Sequence, residues 1–140
     1  LFLEPEITVQ VTSAARTFWE KATILHAEAG RPESSSFRSR YSRHYYDMVM
    51  LARDSDVKAA AFADLSLLSR VVDFKQRFYS GSAWLAMPGS FRLLPPDYFK
   101  EALRIDYTNM RNMIYGEYPS FEQILAELEE LLAEINMLTC

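Results

Sequence analysis

Cysteine is nearly missing from this sequence. The one thiol, Cys140, closes the chain, which excludes an internal disulfide and a cysteine-based zinc site. The two histidines, His26 and His44, fall on different predicted helices with no carboxylate at ligand spacing from either. Packing or hydrogen bonding is therefore the role their placement favours, and no metal ligand is assigned. Nor do these residues form a Ser/His/Asp or Cys/His arrangement for nucleophilic catalysis. Four glycines are scattered singly, so there is no glycine-rich phosphate loop. No apolar run approaches the length of a membrane span and no signal-peptide pattern is present, so the expected setting is the cytoplasm, without a membrane partner. A net charge of -4 excludes nucleic-acid binding through overall basicity and leaves room only for a local basic patch.

What is present suits one soluble domain with a real core: 140 residues, 49% hydrophobic and 24% charged. Glu4 to Thr12 alternates apolar and polar residues, with Ile7, Val9 and Val11 on one side, which predicts a short strand. A lone strand is not stable in water, so it is expected to pair across a homodimer or to belong to a sheet whose other strands lie upstream. The chain is accordingly expected to be the C-terminal part of a longer protein.

Helices follow. The first is predicted from Ser13 or Ala14, with Phe18, Ala22, Leu25 and Ala29 as its stripe, Trp19 beside it and Lys21 on its flank, ending at Gly30. After a serine-rich loop, Arg40 to Arg53 gives a second, with Tyr41, Tyr45, Met48 and Ala52 inward and His44, Asp47 and Leu51 along its side. Two antiparallel helices joined by a short loop can bring Lys21 and Asp47 together. Asp54-Ser55-Asp56 signals a short third helix to Ala63, and Asp64 caps a fourth in which Leu65, Leu68, Val71, Val72, Lys75 and Phe78 recur, broken at Gly81-Ser82. Ala83 to Pro96 reads as loop. A helix from Asp97 to Tyr115 carries Phe99, Leu103, Tyr107, Met110 and Ile114, and Gly116 stops it. Ser120 with Gln123 three residues on opens the last helix, whose stripe runs from Phe121 to Ile135. The fold class expected is mainly α: a bundle of five to six helices preceded by one short N-terminal β-strand.

Two residues and one run carry the candidate chemistry. By spacing alone Lys21 reads as a solvated flank lysine whose stem covers apolar surface, with a phosphate-binding lysine at a cleft edge as the alternative. Asp47 reads as the partner of Arg43 one turn earlier, or as a carboxylate that pairs with Lys21 or positions a nucleotide. Arg38, Arg40 and Arg43, interleaved with Tyr41, Tyr45 and Tyr46, suit phosphate contact and base stacking; a mobile loop running into a helix start fits them equally. Lys75 and Arg77 make a second, weaker basic spot. Asp106-Tyr107 reads as a buried hydrogen-bonded pair without chemistry.

Arg16-Thr17-Phe18-Trp19-Glu20-Lys21, then Arg43-His44-Tyr45-Tyr46-Asp47, Leu67 to Lys75, Asp106 to Met110 and Met113 to Phe121, resemble in order and spacing the C-terminal half of the AbiEii/AbiGii toxin nucleotidyltransferases. The likeness runs to near Asn136. It implies an N-terminal domain of the polymerase-beta type carrying a Gly-Ser element and a magnesium-holding Asp-x-Asp, whose carboxylates neutralise triphosphate charge. Neither Gly81-Ser82 nor Gly89-Ser90 is followed by an Asp-x-Asp. Residues 1–12 are then a strand segment left from an upstream nucleotidyltransferase sheet and 13–140 the C-terminal helical domain.

The resemblance gives Lys21 the role of the lysine that contacts nucleotide phosphates, and Asp47 that of the acidic residue needed for activity. It implies magnesium and a nucleoside triphosphate, GTP among the candidates, for the longer parent; no cofactor is assigned to this chain. It further implies tRNA as an acceptor in some members and a cognate antitoxin as partner. The chain alone is expected to be inactive. The alternative is a non-enzymatic helical module that binds an antitoxin or a second copy of itself.

Overall fold

The computed structural model describes residues 4–79 and 84–138, with side chains from residue 9 onward. Six α-helices and one 3₁₀ turn follow one another: α1 (Glu4–Ala29), α2 (Ser42–Arg53), α3 (Ser55–Ala63), α4 (Leu65–Phe78), α5 (Asp97–Asn109), the turn at Arg111–Met113, and α6 (Phe121–Asn136). Among the described residues there is no strand. The expected break at Gly81-Ser82, and Cys140, lie outside them.

The N-terminal strand is the main correction. Residues 4–12 form the first turns of α1, and Ser13 is no cap: its carbonyl lies inside the helix and accepts from the Thr17 hydroxyl at 3.1 Å. With no neighbouring strand among the described residues, the backbone N–H and C=O groups of this segment pair within the helix. The alternation at Ile7, Val9 and Val11 does not mark a buried strand face, since Val9 is 64% exposed. Pairing of two copies through that strand therefore has no strand to use here.

α1 is the axis of the domain. Ala15, Phe18, Trp19, Ala22 and Leu25 are fully buried against α2, α3 and α4. Phe18 and Trp19 meet edge to face at 5.0 Å, and Phe62 of α3 and Phe91 lie 6.3 and 5.9 Å from the Trp19 ring. The indole N–H donates to the carbonyl of Ala61, 3.0 Å away, so this large buried ring leaves no polar atom unpaired.

The capping signals act as read. Asp54 accepts from the N–H groups of Asp56 and Val57 to start α3, Asp64 accepts from Ser66 to start α4, and Ser120 accepts from Gln123 to start α6. The Gln123 amide turns to Glu127 rather than back to the cap, so only half of the capping box forms. α4 buries Leu67, Leu68 and Val71, while Phe78, expected on its stripe, is 68% exposed. α6 buries Phe121, Ile124, Leu128, Leu131 and Ile135. It is tied across by Arg53–Glu127, with both guanidinium contacts at 2.6–2.8 Å, and by Lys58–Glu134 at 3.0 Å.

α5 stops at Asn109, short of Tyr115, because the chain turns back on itself. The Met110 N–H is shared between the carbonyls of Asp106 and Tyr107, which tightens the last turn. Tyr118 stacks on Tyr107 at 4.3 Å and donates its hydroxyl to the Tyr107 carbonyl, while the Tyr107 hydroxyl donates to the carbonyl of Pro119. Asp106 and Tyr107 are thus both hydrogen-bonded, but to different partners.

Asp106 supplies what α2 lacks. Tyr41, at the helix start, offers no side-chain cap. From α5 the Asp106 carboxylate accepts from the N–H of Arg40 at 2.7 Å, from the N–H of Ser42 at 3.1 Å and from the Ser42 hydroxyl. A carboxylate at this end also opposes the positive pole of the helix. Arg40 is held at φ 62, a left-handed conformation uncommon outside glycine.

Two changes with opposite signs test this packing. Asp106→Ala should lower stability by about 1–3 kcal/mol, since several donors lose their acceptor. The Tyr45 hydroxyl is buried with no partner, so Tyr45→Phe should leave stability unchanged or raise it by about 1 kcal/mol. Urea denaturation of both variants is the check.

Candidate active site

Lys21 leaves α1 one residue before the buried Ala22 and so emerges at the margin of the core, its side chain 18% exposed. α2 runs antiparallel beside it. His44 and Asp47 are three residues apart, one turn, and both face the lysine. The Lys21 ammonium donates to His44 Nδ1 at 3.0 Å and pairs with Asp47 Oδ2 at 3.1 Å. Asp47 makes this interhelical contact rather than the pairing with Arg43 that sequence spacing also allowed.

His44 is the member that sequence reasoning did not place in the site; its spacing pointed only to packing or hydrogen bonding. To accept from an ammonium, Nδ1 must be unprotonated, which puts the ring proton on Nε2. The surroundings enforce that state. Burial first, then the positive charges of Lys21 and Arg43, lower its pKa from 6.5 to about 4, with Asp47 opposing. The Tyr41 ring meets the imidazole edge to face at 4.7 Å. Lys21 is thus gripped by one neutral and one anionic acceptor from the same helix.

Clefts open on both sides of this cluster. On one side Lys21 and Asp47 face a common groove of about 380 Å³, walled by Ala14, Thr17, Met50, Leu51, Asp54 and Val57. On the other lies a cleft of about 570 Å³ walled by Ile24, Arg38, Tyr41, Lys75, Phe78, Tyr79 and Trp84. Arg38 enters this second cleft, its guanidinium 5.4 Å from the centre of the Tyr41 ring and donating to the Tyr41 hydroxyl at 3.1 Å. Arg43 is exposed on the first turn of α2, and Arg40 is exposed with its backbone engaged by Asp106. The three arginines therefore do not converge on Lys21, although Arg38 and Arg43 border the cluster. In the sequence Lys75 reads as a stripe position of the fourth helix and part of a weak basic spot; α4 brings it to the second cleft.

Among the described residues no group of three or more His, Cys, Asp or Glu side chains is placed to hold a metal ion. Asp54-Ser55-Asp56 does not provide one, because Asp54 Oδ1 is engaged by two backbone N–H groups at the start of α3. Magnesium therefore does not fit these residues. No helix among the described residues is long and apolar enough to cross a membrane.

Fold and site together define a mainly helical domain whose lysine–histidine–aspartate cluster sits between two clefts. Residues 1–127 match the family described as "Nucleotidyl transferase AbiEii toxin, Type IV TA system", and the chain belongs to that family. The match ends within α6, short of Asn136. Membership places the chain among toxin–antitoxin nucleotidyltransferases, for which a nucleotide substrate and a cognate antitoxin follow in general terms. No curated protein and no solved structure was found to match.

The state of His44 has a direct consequence. With a folded pKa below the unfolded value, the unfolded chain binds the extra proton first as pH falls. The stability this neutral ring contributes is complete above 6.5 and is lost as pH falls toward 4. By NMR, His44 should titrate with a midpoint well under 6.5, and His44→Gln should lose less stability than the wild type across that interval.

Proposed function

We propose that this chain forms the nucleotide-phosphate side of a nucleotidyl transfer from a nucleoside triphosphate, GTP among the candidates, to an acceptor such as a tRNA end. The supporting observation is that Lys21 and Asp47, drawn from different helices, meet at 3.1 Å and face one open groove. Lys21 stabilises phosphate charge, because a positive group of fixed position opposes the negative charge that develops on the transferring oxygens. Asp47 orients Lys21 or the acceptor, and His44 holds the ammonium from its second side. Arg38, Arg40 and Arg43 contact nucleotide or RNA phosphate around this centre. In this reading the magnesium carboxylates belong to a nucleotidyltransferase domain outside these 140 residues, and the chain on its own does not catalyse transfer.

The pair is poised for this use. Lys21 is 18% and Asp47 41% exposed, so the pair is part-buried, and water still reaches its carboxylate side. An incoming triphosphate competes with that carboxylate for the ammonium.

Lys21→Ala and Asp47→Ala in the intact toxin should each abolish growth inhibition while leaving the protein folded by circular dichroism. Full toxicity in both variants would leave the cluster as scaffold and favour the helical module that binds an antitoxin or a second copy.

A further inference from the structure

The second cleft is built differently from the groove at Asp47. Its walls are aromatic and cationic, without a carboxylate among its lining residues. Lys75 Nζ lies 4.8 Å from the centre of the Trp84 ring and 5.8 Å from that of Tyr79, and the two rings lie 5.2 Å apart. Across the cleft Arg38 lies over Tyr41. Neither Lys75 nor Arg38 has an ion-pair partner among the described residues, whereas Lys21, Lys58 and Lys100 each do.

Two cations held against ring faces, without an ion-pair partner among the described residues, favour a ligand that carries negative charge. Burial lowers the Lys75 pKa, with the charge of Glu20 opposing and that of Lys21 adding to the effect. The rings supply the other half of a ligand's requirements. Phe78 is 68% and Tyr79 49% exposed, so ring surface at this cleft is open for stacking. Downstream of Trp84 the chain is tied to the core: His26 Nδ1 accepts from the Arg92 N–H at 3.1 Å, and Asn136 accepts from the N–H groups of Gly89 and Phe91 and donates to the Phe91 carbonyl. A volume of about 570 Å³ lies within the roughly 300–1,000 Å³ of small-ligand clefts.

From this geometry we infer that the cleft between Arg38/Tyr41 and Lys75/Tyr79/Trp84 is a nucleobase site: a base stacks on Trp84 and Tyr79, and its phosphate runs past Lys75 toward Lys21. The inference deepens the nucleotide reading above and rests on it only for the direction of the phosphate. The base belongs to a mononucleotide or to the end of a single-stranded acceptor; both present the same ring and phosphate to these side chains.

Tryptophan fluorescence separates the outcomes, because Trp19 is fully buried and Trp84 borders the cleft. The chain is titrated with GTP, ATP, guanosine, inorganic triphosphate and a single-stranded trinucleotide RNA, with Trp84→Phe identifying the reporter. Saturable quenching by GTP, ATP or the trinucleotide, but not by inorganic triphosphate, is expected. Tyr79→Ala and Lys75→Ala should each weaken binding about 5- to 100-fold while circular dichroism stays native. Quenching by the mononucleotides assigns the base to the triphosphate; quenching by the RNA alone assigns it to the acceptor.

Lys21→Ala should weaken GTP but not guanosine. Equal GTP binding in Lys21→Ala, with losses still seen in Tyr79→Ala, would sink the Lys21 role and keep the base site. No quenching by any probe, or GTP binding by calorimetry that Tyr79→Ala and Lys75→Ala leave unchanged, would overturn the base site whatever becomes of Lys21.

Discussion

The indole of Trp19 reaches from α1 to the carbonyl of Ala61 near the end of α3, 3.0 Å away, with its ring enclosed by Phe18, Phe62 and Phe91. A buried donor of this size has one low-energy arrangement, so the contact fixes how far α1 has rotated about its axis. Everything at the site inherits that rotation. With Phe18, Trp19 and Ala22 turned inward, Lys21 has to emerge at the border of the core, and Ile24 one turn on has to face the second cleft. The depth of α2 is set from its other side, where Asp106 closes the helix start and places His44 and Asp47 opposite the lysine. The site is a seam between two helices, each located by a contact outside it.

Along that seam the electrostatics change sign. Arg38 and Lys75, aromatic-lined and without an ion-pair partner among the described residues, stand at one end; Asp47 and Asp54 border the groove at the other. Lys21 lies between, held from both sides by α2. Because the imidazole stays neutral, the cluster keeps one positive and one negative charge instead of two positive and one negative. The lysine is then oriented without a second cation crowding it, and its ammonium is a donor of fixed position with one ionic tie among the described residues.

Much of this was legible in the sequence for local reasons. Asp54, Asp64 and Ser120 cap helices through backbone donors two or three residues away, and the stripe of α6 repeats at helical spacing, so neighbours in sequence decide both. Lys21 and Asp47 could be placed on facing flanks by the same periodicity. What escaped depends on distant partners. Alternation in Glu4 to Thr12 is equally consistent with a helix when no second strand is at hand. Asp106 caps a helix 64 residues earlier in the chain, which no window detects. His44 accepts from Lys21 because burial keeps it neutral, and Trp84 meets Lys75 across a loop whose path the sequence does not spell out. The family match over residues 1–127 agrees with the order of motifs but says nothing of these contacts.

The central claim is that Lys21 has a duty beyond its tie to Asp47. Exchanging the two charges, Lys21→Asp with Asp47→Lys in the toxin, keeps an ion pair between α1 and α2 but moves the ammonium to the other helix and away from His44. Growth inhibition measured beside urea stability separates the roles. The account predicts near-native stability with toxicity lost. Toxicity restored to the wild-type level by the exchange would show that the pair matters only as a link between helices, and would contradict it.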